Sequence, residues 1–141
     1  MEKWRHRLRV AEAMVLVWLS RIVIRRVSFG RWRGWLGSLH QNAPNIPPVE
    51  PADLRLVRAL VAAASRAGQR LPASLCLPRA MALHIMLSRR GCRSALVFGI
   101  LPGETRGSVD DLHAWVEINR QPVFGDTQDA HIDLFRIISH G

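Results

Sequence analysis

The sequence predicts an α+β fold in which a helix that carries a cysteine packs on a small antiparallel sheet, preceded by an extra N-terminal helical segment. Residues 76–90 would form a helix that is apolar on nearly every side, whereas 92–100 and 111–118 are β-branched, aromatic or alternating, as strands are. Residues 1–48 are expected to form a basic, apolar helical segment with a proline-rich linker, and residues 49–141 the main domain.

The composition of the chain limits the classes of protein it can belong to. Its 141 residues suffice for one compact domain with its own core, and a hydrophobic content of 48% argues against disorder. Two cysteines are too few for a disulfide framework, so both are expected as reduced thiols in the cytoplasm. The net charge of +9 is concentrated in residues 1–37, which hold nine Lys or Arg against two Glu. Such a segment suits a membrane surface, nucleic acid or an acidic peptide, or is the solvated face of a docking helix.

Residues 10–24 are a strongly apolar run and are expected to be helical. A membrane-spanning helix needs about 20 apolar residues, and this run is shorter and contains Arg21. A signal peptide needs a small-residue cleavage site, whereas Arg25 and Arg26 follow here. We therefore expect a helix packed on the domain or on a partner, with peripheral membrane contact through residues 1–37 left open.

The next stretches connect this helix to the main domain. In FGRWRGWLG, at residues 29–37, the tryptophans are expected to anchor the segment to its own core. Residues 41–51 contain four prolines and are expected to be a linker or an extended crossing. A helix is predicted from Ala52 to Ala67, with Gly68 as its stop. Its apolar stripe is Leu56, Leu60, Ala63, Ala64 and Ala67.

The helix that follows begins beside a cysteine. Proline lacks a backbone N–H and is tolerated in the first helical turn but not in the interior, so Pro78 fixes the helix start within a residue or two. Cys76 then lies at the N-cap or next to it, where the unpaired N–H groups and the helix dipole favour a thiolate. Arg89 and Arg90 in the last turn, with Gly91 after it, predict the helix end.

The remaining chain predicts strands joined by turns. Residues 111–118 are expected to be a strand, followed by a tight turn and a returning strand at 121–124. Residues 128–141 are expected to be a tail with a last apolar patch. Alternation puts three side chains on one face of the first of these strands, namely His113, Trp115 and Glu117.

A cysteine at a helix start, a histidine on a strand and an aspartate after the next strand are the parts of a thiol triad. Cys76 would attack a carbonyl as thiolate, and His113 would hold the ion pair and later protonate the leaving amine. Asp126 follows His113 by thirteen residues across a hairpin, so its carboxylate can fix the imidazole. The backbone N–H of Cys76 is the first candidate for an oxyanion donor.

Each of these residues also has a structural interpretation. An apolar-flanked cysteine is more often a small core residue, a strand histidine can be a satisfied core side chain, and Asp126 suits a turn. A metal site built from Cys76, His84, Cys92 and His113 lacks paired short ligand spacings, so we expect no metal and no other cofactor. His84 is expected to pack on the buried helix.

The run CLPRAMALHIMLSRRGCRSALVFGI, followed by HAWVEI and then GD, resembles the transglutaminase-like cysteine peptidases of lasso-peptide biosynthesis. These are the B proteins that remove the leader from the precursor peptide. The resemblance covers about residues 50–135. It implies a transglutaminase- or papain-like fold with Cys76 as nucleophile, His113 as base and Asp126 as the third member, Asp129 being the weaker substitute.

The resemblance also implies a substrate and partners. A leader peptidase of this family acts on a lasso precursor together with a leader-recognition protein and an ATP-dependent cyclase. Residues 1–48 do not resemble a recognition domain, so we expect a separate recognition protein, with the apolar N-terminal helix as a candidate docking surface. We expect a cytoplasmic enzyme without a nucleic-acid partner, and the chain carries no nucleotide-binding Gly-Lys loop.

Two alternatives to a leader peptidase remain open from the sequence. One is another transglutaminase-like hydrolase or acyltransferase with the same triad. The other is a non-enzymatic basic adaptor that binds nucleic acid or anionic lipid through residues 1–37, for which binding would depend steeply on salt and would not require Cys76.

Overall fold

The fold is described from a computed structural model. The structure describes residues 2–40, 51–70, 76–100, 113–118, 121–124 and 132–139. These residues form four helices and five strands. The helices are α1 (Glu2–Arg26), α2 (Phe29–Leu36), α3 (Pro51–Arg70) and α4 (Cys76–Arg89). The strands are β1 (Ser38–His40), β2 (Ala95–Ile100), β3 (His113–Ile118), β4 (Gln121–Phe124) and β5 (Ile132–Ile138).

The strands form one sheet in the order β1-β5-β2-β3-β4, and every neighbouring pair is antiparallel. β5 lies between β1 and β2, and Leu96 of β2 pairs with Ile137. The predicted tail over residues 128–141 is therefore wrong for the stretch that forms β5. Its partners in β2 are some forty residues away in sequence, and the sequence carries no local signal for such a pairing.

The helices cover one face of this sheet. α4 packs on β2 and β3, and α1 and α3 pack in turn on α4 and on each other. Side chains from the helical layer and from one sheet face form a single core cluster, which includes Leu60, Leu83, Leu87, Leu96, Val116 and Ile137. The predicted α+β architecture, with the cysteine helix packed on a small antiparallel sheet, is confirmed.

α1 is the long apolar helix that the sequence predicts, and it packs on the domain. Its inner face buries Val10, Ala13 and Val17 against α3 and α4. No helix among the described residues is long and apolar enough to cross a membrane. The division of the chain at residue 48 stays a prediction.

The carboxylate of Glu12 ties α1 to the end of α4. Glu12 accepts hydrogen bonds from Arg90 at 2.6 and 3.1 Å and from Arg89 at 2.8 Å. The hydrogen bonds from Arg90 lower the pKa of Glu12 below its usual value, against the opposing effect of burial. A bidentate arginine–carboxylate pair fixes orientation as well as distance, so the two helices are held in one register.

The two predicted helix stops behave differently. α4 ends as predicted, because Gly91 adopts φ 76° and the N–H of Cys92 donates to the carbonyl of Leu87 at 2.9 Å, which is a Schellman cap. α3 instead continues through Gly68 to Arg70, so Gly68 is not its stop. A glycine in a helix interior costs about 1 kcal/mol, which the packing of α3 can outweigh.

The apolar stripe of α3 and the tryptophan anchors are also tested by the structure. Leu60, Ala63, Ala64 and Ala67 are buried as predicted, and Leu56 is half-buried. In α2, Trp32 is buried and anchors the segment to the core, whereas Trp35 is 65% exposed. The predicted linker at residues 41–51 lies outside the described residues except for its last residue, which begins α3.

Candidate active site

α4 begins at Cys76, with Pro78 in its first turn. Proline lacks the N–H that the helix interior would require, so this placement follows from the sequence as predicted. The backbone of Cys76 is described and its side chain is not. The unpaired N–H groups of a helix start lie at this residue, where they favour a negative charge on sulfur or on a reacting oxygen.

β3 begins at His113, which pairs with Gly99 of β2. The side chain of His113 is outside the described residues. β2 pairs with β5 on the edge that faces away from β3, and this pairing shifts register between Phe98 and Gly99. Such irregularities re-aim neighbouring side chains and are common beside active sites.

The connectivity brings the starts of α4 and β3 to the same end of the domain. α4 turns directly into β2, so the end of α4 and the start of β2 lie together. β3 runs antiparallel to β2, and therefore begins at the far end of β2. A helix of 14 residues spans about 21 Å and a strand of 6 residues about 20 Å, so α4 and β2 have matching lengths. α4 also packs on β3. We infer from this connectivity that α4 and β3, which begin at Cys76 and His113, start towards the same end of this layer.

Arg79 connects the first turn of α4 to the end of β4. Its guanidinium carbon lies 5.7 Å from the ring centroid of Phe124, a cation–π distance. Phe124 is the last residue of β4, two positions before Asp126. Asp126 and its substitute Asp129 lie outside the described residues, so the structure does not test the third member of the predicted triad.

Arg79 also lies near this site, and the sequence predicted no role for it. It follows Cys76 by three positions and so lies on the same side of α4. Its Nε is buried and has no hydrogen-bond partner among the described residues. An arginine in the first turn of an otherwise apolar helix, three positions after the cysteine, was the available sequence signal.

His84 does not belong to this site. It is fully buried, its Nε2 lies 3.0 Å from the Leu36 carbonyl oxygen and its Nδ1 lies 2.7 Å from Ser94 Oγ. A carbonyl only accepts, so Nε2–H donates to Leu36 and Nδ1 accepts from the Ser94 hydroxyl. Burial lowers the pKa of His84 to about 4, so the ring is neutral at pH 7. The prediction that His84 packs in the core is confirmed.

Trp115 and Glu117 occupy the sheet face opposite the helices. Trp115 Nε1 donates to Glu117 Oε2 at 2.8 Å, and Arg136 donates to the other carboxylate oxygen at 3.3 Å. Trp115 packs there with Val97, whereas its neighbours in β3, such as Val116, face the helical core. The predicted common face is confirmed for Trp115 and Glu117. These two residues of the HAWVEI motif stabilise the back of the sheet.

Comparison with known proteins addresses the chemistry of the site. A model of the transglutaminase-like superfamily matches residues 16–139. The chain belongs to the transglutaminase-like superfamily. No curated protein and no solved structure was found to match it.

Membership of the transglutaminase-like superfamily fits the position of Cys76. Enzymes of this superfamily are typically cysteine-dependent hydrolases or transferases. The matched residues begin within α1 and include Cys76, His113 and Asp126. Among the described residues no group of His, Cys, Asp or Glu side chains could hold a metal ion.

Proposed function

We propose that the protein is a cysteine endopeptidase that removes the leader peptide from a lasso-peptide precursor with the triad Cys76, His113 and Asp126. The observation that carries the proposal is the shared end of α4 and β3, which begin at Cys76 and His113 in a transglutaminase-like chain. The contact of Arg79 with Phe124 supports it, because it holds the first turn of α4 beside the strand that leads to Asp126.

The reaction follows from these positions. The Cys76 thiolate attacks the carbonyl carbon of the leader–core amide, and the resulting oxyanion accepts hydrogen bonds from backbone N–H groups at the start of α4. His113 gives its proton to the core nitrogen as the C–N bond breaks, leaving the leader as a thioester on Cys76. His113 then takes a proton from the water that attacks the thioester, and the C–S bond breaks to release the leader with a free carboxyl end and to restore the thiolate beside the protonated imidazole. Asp126 orients the imidazole throughout.

The proposed partners follow from the family resemblance. The substrate is the leader region of a lasso precursor, ordered by a separate leader-recognition protein. The product is a core peptide with a free amine, which an ATP-dependent lasso cyclase then takes as its substrate. The triad needs no cofactor, and we place the enzyme in the cytoplasm, with peripheral membrane contact through residues 1–37 as an option.

The decisive experiment incubates the protein, the recognition protein and a precursor peptide, and follows cleavage by mass spectrometry. Cys76→Ala is expected to abolish cleavage, whereas Cys92→Ala, a buried thiol at the end of α4, is expected to cleave at nearly the normal rate. His113→Ala is expected to abolish cleavage and Asp126→Asn to reduce it partially, because nucleophile and base remain. Cleavage by the Cys76→Ala chain would contradict the proposed mechanism.

The second candidate is an acyltransferase of the same superfamily, which the family match favours equally because it extends to hydrolases and transferases. Both candidates form a thioester on Cys76 and differ in the group that resolves it. A primary amine added to the cleavage assay distinguishes them. Transfer of the leader acyl group to the amine, with little free acid formed, would favour the transferase.

A further inference from the structure

The outer face of α1 carries a regular row of apolar residues. Large side chains that are 39–64% exposed stand along this face, in contrast to the inner face that is buried in the core. Ala11, which is also exposed, completes the row. We name it the outer seam. Its members are Trp4, Leu8, Ala11, Val15, Trp18 and Ile22.

The spacing of the outer seam is that of a helix–helix contact. Its positions advance by 4, 3, 4, 3 and 4 residues, which is the 3.5-residue repeat of a coiled-coil face. From Trp4 to Ile22 the seam is about 27 Å long. A soluble helix normally turns such a face towards a partner, because a contiguous exposed apolar patch marks an interaction site.

Arginines occupy four of the positions beside the outer seam. Arg5 and Arg26 lie along one side and Arg7 and Arg21 along the other, in the places that carry pairing charges in a coiled coil. The same flanks carry Met14, Leu19, which is 43% exposed, and Glu12, which is already bound by Arg89 and Arg90 at the end of α4. The surface on both sides of the seam therefore attracts acidic groups.

A cavity next to the outer seam also has basic side chains in its walls. It has a volume of about 500 Å³ and opens between α1 and α3. Its walls include His6, Arg7 and Arg66, together with Ala11 of the seam. Carboxylate side chains of a helix lying on the seam would reach these two arginines.

We propose that the outer seam binds an amphipathic helix of a partner protein, apolar at its seam positions and acidic on its flanks. The proposal goes beyond the peptidase activity and does not depend on it. A second copy of this chain fits poorly, because it would bring arginines against arginines. A flat membrane surface requires neither the alternating spacing of 4 and 3 residues nor the cavity beside the seam, whereas a helix with acidic side chains would use both.

The test uses a 28-residue synthetic peptide of four heptads, with Leu at the seam positions and Glu on the flanks. Fluorescence anisotropy measures its binding to the full-length chain, and a peptide with Lys on the flanks is the control. We expect the Glu peptide to bind at least tenfold more tightly, with an affinity that falls as salt is added. Equal affinity for the two peptides, or none for either, would overturn the proposal.

Two pairs of variants locate the binding surface. Trp18→Ala is expected to weaken binding at least tenfold, whereas Trp35→Ala, which removes an equally exposed tryptophan from α2, is expected to leave it unchanged. Arg5→Glu/Arg26→Glu is expected to shift preference from the Glu peptide to the Lys peptide. The matched double change Arg55→Glu/Arg58→Glu, with the same net charge on exposed positions of α3, is expected to keep the original preference. Equal effects within either pair would contradict the assignment.

The two competing occupants are measured with the same proteins. Binding to phosphatidylglycerol-containing vesicles that Trp18→Ala abolishes, without binding of the Glu peptide, would replace the proposal with a membrane contact. Dimerisation in sedimentation experiments that Trp18→Ala abolishes, again without peptide binding, would replace it with self-association. The expected result is peptide binding by a chain that stays monomeric and does not bind these vesicles.

Discussion

His84 joins three elements of the core through its two ring nitrogens. Nε2 binds the carbonyl at the end of α2, and Nδ1 binds Ser94 just before β2. The backbone N–H of Ser94 in turn donates to the hydroxyl of Ser139 at 3.1 Å, which extends the network to the end of β5. Both ring nitrogens of the imidazole are satisfied in its neutral form, and burial of the charge is what opposes protonation.

The stability of the protein is therefore expected to depend on pH through His84. The pKa of His84 is about 4 in the folded protein, whereas an unfolded chain has the ordinary histidine value of 6.5, so the unfolded state binds more protons below pH 6.5. Stability is expected to fall as the pH drops from 6.5 to 4, by about 3 kcal/mol in total. Urea unfolding at a series of pH values measures this loss.

A variant separates this effect from other acid titrations. His84→Gln is expected to be less stable at pH 7 but to show a flatter profile between pH 6.5 and 4.5. The pKa of Glu12 is lowered from 4.5 chiefly by its hydrogen bonds to Arg90, so Glu12 loses its contribution in a more acidic range. An unchanged slope in His84→Gln would assign the pH dependence to other groups.

Gly37 is a second residue at which a single substitution is expected to change the stability of the protein. It has φ 148°, and a Cβ there would overlap the backbone carbonyl of Ile138 where β5 ends. Gly37→Ala is expected to lower the free energy of unfolding by about 3 kcal/mol or more, because a backbone atom cannot rotate away. Gly34→Ala, where a Cβ meets nothing within 4 Å, is expected to raise it by about 0.5–1 kcal/mol. Denaturation midpoints that shift equally would contradict this account.

At the scale of the elements, local signals predicted α4 and missed β5. Pro78 and Gly91 determine the ends of α4 through the backbone geometry of the residues themselves, so the sequence contains the information. β5 owes its place in the sheet to pairing with β1 and β2, and β1 is three residues long. A strand of that length is too short to show a periodicity, and pairing across the whole chain leaves no local pattern.

For the candidate site, the sequence predicted where α4 begins, whereas the joint action of Cys76 and His113 stays a prediction. Cys76 and His113 begin a helix and a strand, and their order along the chain was enough to bring those two ends together once the sheet was antiparallel. The contact of Arg79 with Phe124 was not predictable, because it depends on where the sheet places the end of β4 relative to α4. Asp126 as the third member stays a prediction.

At the scale of the whole molecule, α1 belongs to the core of the protein. Its inner face packs on α3 and α4, and Glu12 binds the end of α4 through Arg89 and Arg90. Without α1 the apolar outer sides of α3 and α4 would lie in water. Burying one large aliphatic side chain contributes about 1.5–3 kcal/mol, and a whole domain has a stability of about 5–15 kcal/mol.

A chain that begins at residue 49 is therefore expected not to fold cooperatively, although it contains all three members of the proposed triad. Far-UV circular dichroism and urea unfolding would show a broad transition or none. A matched pair on α1 tests the reason: Val17→Ser, on the buried face, is expected to cost about 2 kcal/mol or more, because it removes apolar contacts and buries a hydroxyl. Its neighbour Trp18→Ser, on the outer seam, is expected to change stability by less than about 0.5 kcal/mol. A sharp unfolding transition in the shortened chain would contradict this expectation. It would show that α3, α4 and the sheet are sufficient for cooperative folding, and that α1 provides the outer seam but is not needed for the core.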